Sequence, residues 1–448
     1  TGLISTRNSL RHIEQESRKT MEWFWPEGYY TIVMVGVFAL CSFAFKQPIA
    51  VALAIAAIAG ALVSGNGVPI DHLIEGSFGY LDTILIIFSA MIFMKTVQHI
   101  GLMESAAAWM IRRFRTLPFR LTMGITGLLM LPGMITGSSS AAVLTSGAIV
   151  TPALLKLGVS PVKAAAAIAM AAIYGMTAPP INIPAMIIGG GIDMPYVGFG
   201  IPLLICTVPL AIFTGMWLIF PSLKKSANQG NIENEALDEE LSRMSRVALT
   251  PRLMLPFFVL IVLLGGERIF PQYAPSLGMP LAFLIAAASG LLVGRKWRPF
   301  EAATEAVQAA LPVAGILVGV GMFIQIMTLT GVRGFFVVSA LALPEWLLYV
   351  GIATSMPIFG AVSSFGSATV LGVPFLLALL GRDEIVVGSA LSLIAGLGDL
   401  MPPTALAGLF AAQVVGVKNY FSVLKVCLLP ALVTAIWGIM IILGADLF

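Results

Sequence analysis

Four short stretches of the chain place small polar residues, glycines and Pro-Pro pairs inside long apolar sequence. They are Thr136–Ser140, Ala178–Asn182, Ser363–Thr369 and Gly398–Thr404. Hydroxyl groups both donate and accept hydrogen bonds, freed backbone carbonyls suit Na⁺, and the N–H groups at a helix N-terminus suit a carboxylate. The four stretches contain no Arg or Lys. An anionic ligand would therefore be met by helix ends, hydroxyl groups and co-bound cations.

Asp399 is the one carboxylate in these stretches. A charge at the centre of a bilayer costs roughly 2.5–3.5 kcal/mol on insertion scales, so this side chain needs a partner or a role. Two interpretations are open. Asp399 binds a proton or a cation, or it caps the following half-helix or faces an aqueous vestibule.

The composition indicates a polytopic helical membrane protein. Of 448 residues, 58% are hydrophobic and only 10% are charged, and the mean hydropathy is +0.97. Soluble domains carry roughly 25% charged residues. Apolar runs of about 18 or more residues recur along nearly the whole chain. The net charge is only +3 and the basic residues sit in loops, so the sequence does not favour nucleic-acid binding.

Residues 121–157 contain two apolar arms that are each short for a membrane span. The first arm, Leu121–Thr136, has about 16 residues or ~24 Å of helix, against a hydrocarbon core of ~30 Å. Gly137 and three serines end it, and the second arm, Ala141–Leu157, is similarly short. These lengths favour a re-entrant hairpin, with one kinked helix plus a loop as the alternative.

A second kind of interruption lies in residues 161–191, which are too long for one straight span. Ala178–Pro184 contains three prolines. Proline removes a backbone donor and clashes with the preceding turn, so the sequence predicts a broken helix here. Downstream the same two features recur, with a hairpin at residues 345–380 and a broken helix at residues 384–415.

Matching residues in the two halves lie at a nearly constant separation. The separations are 223, 223 and 222 residues for Gly158 and Gly381, Pro179 and Pro402, and Pro152 and Pro374. We therefore predict an all-α polytopic membrane protein built from two inverted-topology repeats. Each repeat has a re-entrant hairpin and a broken transmembrane helix.

The repeats are expected at residues 28–221 and 253–445, with a polar linker at 222–252 and an interfacial N-terminal arm at 1–27. When most loop Lys and Arg are placed in the cytoplasm, the two repeats have opposite orientations in the membrane. This placement also puts both termini outside the cytoplasm. The chain starts at Thr1 without a Met, so residues before it are expected to be missing or processed.

Several motifs occur in a fixed order along residues 28–445. They are Arg112–Pro118, Gly137–Ser140, Pro152, Ala178–Pro180, Gly396–Thr404 and Leu406–Phe410. The ordered set resembles the large membrane subunit of the TRAP (tripartite ATP-independent periplasmic) transporters. The resemblance implies an elevator-type, sodium-coupled uptake system for small organic acids. It also implies two partners, a small membrane subunit with four helices and a periplasmic substrate-binding protein.

The resemblance also implies the site residues. One Na⁺ site would use Ser138, Ser140, Gly175, Ala178 and Pro180. A second Na⁺ site would use Gly366, Gly398, Met401 and Thr404. The anionic substrate would bind between the hairpin tips, near Ser139, Asn182, Ser364 and Ser367. We add Asp399 to these expected substrate-binding residues because it lies within the second broken-helix motif, although the family pattern does not contain it. The chain departs from the family pattern at three positions, which are Ile181, Met401 and Asp399.

Two other classes of function are weighed against this one. The first is a stand-alone carboxylate symporter or antiporter of the same superfamily, coupled to Na⁺ or H⁺. The second is an intramembrane enzyme, which would need a nucleophile–base pair or metal ligands at membrane depth. The sequence contains no Ser/His or paired-Asp arrangement and no His-x-x-x-His motif, so we do not expect an enzyme or an organic cofactor.

Overall fold

The computed structural model of the chain describes residues 25–228, 235–244, 248–269, 277–294 and 297–447. These residues form helices joined by loops and turns. Seven helices among them are long and apolar enough to cross a membrane. The protein is therefore an all-α polytopic membrane protein. Most of the N-terminal arm predicted at residues 1–27 lies outside the described residues.

Among the described residues, the first half contains ten helices, several of which begin with a proline in the first turn. They are α1 (Pro26–Ala44), α2 (Ile49–Val63), α3 (Ile70–Phe78), α4 (Leu81–His99), α5 (Leu102–Phe114), α6 (Pro118–Thr136), α7 (Ser139–Lys156), α8 (Pro161–Met176), α9 (Ile183–Gly190) and α10 (Gly200–Leu218). Pro26, Pro118 and Pro161 each stand in the first turn of their helix. The fixed φ of proline suits that position, and its missing N–H costs nothing there.

The remaining helices belong to the central segment and the second half. They are α11 (Phe220–Asn228), α12 (Glu235–Met244), α13 (Leu255–Ile269), α14 (Gly278–Ser289), α15 (Pro299–Leu329), α16 (Val332–Leu341), α17 (Glu345–Phe359), α18 (Ser364–Ala378), α19 (Glu384–Gly396), α20 (Leu406–Val415) and α21 (Tyr420–Leu443).

The central segment, expected to be a solvated linker, is partly folded onto the protein. Helix α12 packs against α5 and α7, and it buries Leu237 and Leu241. A guanidinium nitrogen of Arg115 lies 3.2 Å from the carboxylate of Asp238. The spacing of the two leucines gives α12 one apolar face, and that face explains the difference.

Seven helices pack into one group, which we call the framework: α1–α4 and α13–α15. Small residues let these helices approach closely. A Cβ on Gly321 of α15 would lie 1.9 Å from the carbonyl oxygen of Gly76 in α3, and a Cβ on Gly319 would lie 2.6 Å from the carbonyl oxygen of Ala50 in α2. Close backbone approach at small residues is the usual way in which membrane helices associate.

A second group, which we call the inner unit, contains α6–α10 and α17–α21. Helix α8 lies at its centre, and all its residues from Ala164 to Met176 are buried. The hydroxyl of Tyr174 in α8 lies 3.0 Å from that of Thr214 in α10 and 2.9 Å from that of Thr434 in α21. Helices α5 and α16 contact both groups and connect them.

Local features of the two halves recur in the same order. Helices α7 and α18 each begin after a serine whose hydroxyl accepts a backbone N–H, and each then widens into a π turn, at Val143–Gly147 and Ala368–Gly372. The prolyl bonds Pro179–Pro180 and Pro402–Pro403 are both cis. The two halves therefore use the same devices at the positions where their helices are interrupted.

Candidate functional site

Two tight turns lie in the interior of the inner unit, and we call them the hairpin tips. The first tip (residues 137–140) joins α6 to α7, and the second tip (residues 360–364) joins α17 to α18. Gly137 ends α6 with a φ of 64°, in the left-handed region that favours glycine. At each tip the chain reverses its direction within a few residues. Each tip therefore places the start of a helix beside a broken helix.

Asp399 connects the two tips. It lies in the short 3₁₀ turn that follows α19, and only 3% of its surface is exposed. Its carboxylate accepts a hydrogen bond from the hydroxyl of Ser139, the first residue of α7. The hydroxyl and the backbone N–H of Ser364, the first residue of α18, lie near the same carboxylate and interact favourably with it. Three of the residues expected at the substrate site therefore meet at one point.

No basic side chain balances this carboxylate within the described residues. The ion pairs found there all lie elsewhere, and none includes Asp399. Among the described residues, its carboxyl group is instead met by hydroxyl and N–H donors at the starts of α7 and α18. Hydrogen bonds to a charged group and the positive end of a helix dipole both stabilise a buried carboxylate.

Asn182 is fully buried and occupied by structural hydrogen bonds. Its side-chain oxygen accepts the N–H of Ala185 at 2.9 Å and so caps α9. Its amide nitrogen donates to the carbonyl of Thr177 and to the hydroxyl of Ser392 in α19, both at 2.8 Å. The structure therefore places Asn182 between the two broken helices, where it joins α9 to α19. None of these hydrogen bonds reaches either hairpin tip.

The residues expected at the first Na⁺ site lie where the first hairpin meets the first broken helix. The hydroxyls of Ser138 and Ser140 are 3.1 Å apart. A Cβ on Gly175 would lie 2.3 Å from the carbonyl oxygen of Met130 in α6, so the two backbones are in contact there. Ala178 is buried and Pro180 is half-buried. The N–H of Ile181, the residue after Pro180, donates to the carbonyl of Met134 at 3.2 Å.

The residues expected at the second Na⁺ site lie at two separate locations. A Cβ on Gly398 would lie 2.5 Å from Cα of Gly360, and the hydroxyl of Thr404 donates to the carbonyl of Ala361 at 2.6 Å. These two residues therefore contact the second tip, with half-buried Met401 between them in the chain. Gly366 instead faces the framework, because a Cβ there would lie 3.3 Å from the ring of Phe38.

Ser367 does not turn toward the tips. It is fully buried, and its hydroxyl donates to the carbonyl of Met356 in α17 at 2.7 Å. This bond joins the two arms of the second hairpin. Among the five residues expected to bind substrate, Ser139, Ser364 and Asp399 are brought together, whereas Asn182 and Ser367 hold neighbouring elements in place.

Two framework-side residues that the sequence analysis missed contact the end of α9. The hydroxyl of Tyr80, between α3 and α4, donates to the carbonyl of Ile187 at 2.9 Å. The guanidinium of Arg333 in α16 donates to the carbonyl of Gly191 at 2.6 Å. A lone Arg in apolar α16 was a signal for the second contact, whereas nothing in the sequence distinguishes Tyr80 from a packing residue.

Tyr420 is a third missed residue. Its hydroxyl donates to the carbonyl of Leu400, next to Asp399. A Cβ on Gly408 would lie 2.6 Å from that hydroxyl oxygen, so α20 also packs closely on Tyr420. The tyrosine is the first residue of α21. The sequence did not single it out, because an aromatic residue at a helix end is typical of the membrane interface.

An apolar cavity lies apart from this meeting point. It has a volume of about 410 Å³ and lies between α6 and α10, with Met130, Met134, Thr207 and Ala211 among its lining residues. It reaches Ala178 but neither Asp399 nor the serines at the start of α7 and α18. Among the described residues, no cluster of three or more His, Cys, Asp or Glu side chains could hold a metal ion.

Comparisons with known proteins identify the family of this chain. Residues 34–445 match the family described as "Tripartite ATP-independent periplasmic transporter, DctM component". The chain is also 26% identical over 406 residues to the isethionate TRAP transporter permease protein DctMQ of Oleidesulfovibrio alaskensis. That alignment covers 86% of this chain and 60% of the relative, so the chain spans about 60% of the relative's length.

A solved structure supports the fold. The crystal structure of the YdaH transporter of Alcanivorax borkumensis matches with a TM-score of 0.56 at 16% sequence identity, over 83% of this chain and 87% of that one. At this identity the likeness concerns the fold alone. The family match, in contrast, spans nearly the whole chain. The protein therefore belongs to the DctM component family of the tripartite ATP-independent periplasmic transporters, and it is a transporter permease rather than an enzyme.

Proposed function

We propose that the chain is the permease of a secondary active, Na⁺-coupled uptake system for small organic acids. The observation that carries this proposal is the meeting of Ser139, Ser364 and Asp399 between the hairpin tips. Helix starts and hydroxyl groups at this point are the groups that bind carboxylates without a basic side chain. The solute would bind between the two tips.

The broken helices supply the groups that Na⁺ requires. Interrupted helices leave backbone carbonyls without an intrahelical partner, and hard oxygen ligands suit this ion. One Na⁺ would bind among the first tip, Gly175 and Ala178. The other would bind among the second tip, Gly398 and Thr404. Coupling follows because a bound cation at each tip offsets the charge of an anionic solute that enters between them.

The inverted repeat and the elevator motion belong to the same proposal. The recurrence of serine-capped hairpin arms and Pro-Pro breaks in both halves supports a duplicated plan. The division into a framework and an inner unit supports a mechanism in which the inner unit carries the closed site across the membrane. The contacts of Tyr80 and Arg333 with the end of α9 would then break and re-form in each cycle.

The proposed partners are a small four-helix membrane subunit and a periplasmic substrate-binding protein. The family description names a tripartite system, and the matching relative is longer than this chain. We further propose that the protein lies in a bacterial inner membrane, which the family description supports, and that both termini are periplasmic, which the distribution of loop Lys and Arg supports.

Uptake into liposomes tests the proposal. We expect a labelled organic acid to accumulate only when external Na⁺ and the soluble binding protein are both present. Replacing Na⁺ by choline at fixed pH should abolish uptake. Full uptake without any binding protein would instead favour a stand-alone symporter, and uptake that follows the pH gradient in choline would favour H⁺ coupling.

A further inference from the structure

Asp399 occupies the place where the proposed function puts the acidic group of the solute. Its carboxylate accepts a hydrogen bond from the hydroxyl of Ser139, and the hydroxyl and N–H of Ser364 lie near it. These are the donors at the starts of α7 and α18, the helix ends that would bind an anion. In this structure the protein's own carboxylate therefore holds both tips together.

A solute with only negative charge fits this site poorly. It would bring a second carboxylate close to the buried one, and like charges in a desolvated site repel each other strongly. Within the described residues, no Lys, Arg or His pairs with Asp399, so only the two Na⁺ ions of the proposed function would offset that repulsion. The four polar stretches around the site contain no basic residue either.

Entry of the solute also removes donors from Asp399. The tips must separate to admit a molecule, and Ser139 and Ser364 then leave the carboxylate. A buried carboxylate without donors is costly, so a solute that binds tightly must supply donors in their place. An ammonium group supplies three donors and a positive charge. The released hydroxyls and helix starts become free to receive an acidic group.

We propose that the solute is a zwitterion, with a cationic nitrogen that pairs with Asp399 and an acidic group that binds at Ser139 and Ser364. The inference rests on the proposed function, because it assumes that the solute binds between the tips. It narrows the substrate class from organic acids in general to acids that also carry an ammonium group.

Matched pairs of small probes test the inference by isothermal titration calorimetry on the purified full chain in detergent with NaCl. Taurine and isethionate differ only in ammonium against hydroxyl, and so do β-alanine and 3-hydroxypropionate. We expect the zwitterion of at least one pair to bind at least about tenfold more tightly than its hydroxyl counterpart. Asp399→Asn should reduce that preference to within about twofold, and Asp399→Glu should retain it.

Asp383→Asn provides the matched control. Asp383 also accepts a backbone N–H, that of Val386 at 2.9 Å, but it caps α19 at the end opposite to Asp399. Asparagine caps helices as well as aspartate, so this variant should fold and keep the wild-type preference. If Asp399→Asn does not fold, the wild-type preference and its retention in Asp399→Glu decide the question.

The results separate this inference from the proposed function. Preference of the wild-type protein for the hydroxyl members, or no preference in either pair, overturns the inference, while Na⁺-dependent uptake of an organic acid would still stand. An equal loss of affinity for both members in Asp399→Asn also overturns it, because the carboxylate would then act only on the fold. A preference for zwitterions together with an affinity that is unchanged when choline replaces Na⁺ supports the inference and contradicts Na⁺ coupling.

Discussion

Glycines at the crossing of α6 and α8 bring two backbones into contact beside the first hairpin tip. A Cβ on Gly175 would lie 2.3 Å from the carbonyl oxygen of Met130, and a Cβ on Gly133 would lie 2.8 Å from the backbone nitrogen of Met176. Backbone atoms cannot give way as the end of a flexible side chain can. The position of α8 relative to the tip therefore depends on the absence of one methyl group.

Gly175→Ala should lower the free energy of unfolding by about 1–3 kcal/mol, because the added methyl group overpacks the crossing. Gly127→Ala in α6 is the control, since a Cβ there meets no atom within 4 Å. Alanine also favours the helix over glycine by roughly 1 kcal/mol, so the control should be as stable as the wild type or more stable. Thermal unfolding in detergent measures both. Equal stability of the two variants would contradict the proposed backbone contact.

Interrupted helices in this protein are held to one another by single polar side chains. Asn182 caps α9 and also bonds α19 through Ser392. Arg382, in the loop before α19, bonds Glu345 of α17, Asp446 and the last carbonyls of α21. Each side chain replaces backbone hydrogen bonds that an unbroken helix would make for itself, so elements that are short gain stability from their neighbours.

Asn182→Ala should cost more stability than the loss of an ordinary cap. It removes the cap of α9 and leaves the buried carbonyl of Thr177 and hydroxyl of Ser392 each with one partner fewer. Asn419→Ala removes the exposed cap of α21 and serves as the control. We expect the free energy of unfolding to fall by about 1 kcal/mol in the control and by at least about 1 kcal/mol more in Asn182→Ala. Equal losses in chemical unfolding would show that Asn182 acts only as a cap.

Arg382→Lys should weaken the junction between α17, α19 and α21, because lysine cannot reproduce the fork of donors that reaches two carboxylates and two carbonyls. The expected loss is about 1–2 kcal/mol. Arg298→Lys changes an exposed pair with Glu301, in which the arginine is 83% exposed, and should have no measurable effect. Thermal unfolding of the two variants at matched ionic strength decides. A loss in Arg298→Lys as large as in Arg382→Lys would point to general charge effects.

Tyr80 of the framework and Arg333 of the connecting helix α16 contact the inner unit at the end of α9, where they reach the carbonyls of Ile187 and Gly191. A Cβ on Gly190 would lie 2.7 Å from the ring of Tyr80, so the surfaces are in direct contact. In the proposed elevator cycle this contact must slide apart. Contacts inside the framework keep their partners throughout the cycle.

A covalent bridge across this boundary should stop transport. In a background with Cys41, Cys206 and Cys427 replaced, Tyr80→Cys with Gly190→Cys places two thiols across the boundary. The control pair, Met34→Cys with Gly60→Cys, lies inside the framework, where a Cβ on Gly60 would be 2.4 Å from the side chain of Met34. Bridging by Hg²⁺ should block uptake by the variant with the first pair, and removal of Hg²⁺ by excess thiol should restore that uptake. Bridging of the control pair should leave uptake unchanged. Uptake through a bridged first pair would rule out the motion.

Short-range rules made much of this architecture predictable. Long apolar runs predict membrane helices, because the bilayer core requires about 20 apolar residues of helix. Proline pairs and the Gly-Ser run predict the interruptions, since proline cannot donate and glycine tolerates the left-handed turn. The ordered motifs indicated the transporter family, which the match over residues 34–445 confirms. The folded segment at α12 was missed because its polar composition outweighed two buried leucines.

Only the tertiary structure decided which polar groups meet. Ser139 and Asp399 are 260 residues apart in the chain, and Asn182 and Ser392 are 210 apart. A hydroxyl or an amide can be satisfied by many partners, so residue type alone does not select one. The selection comes from the packing of α6–α9 against α17–α20, which brings two helix starts to one carboxylate and turns Ser367 and Gly366 away from it. The amino-acid sequence by itself determined where the helices break, and the fold determined what faces each break.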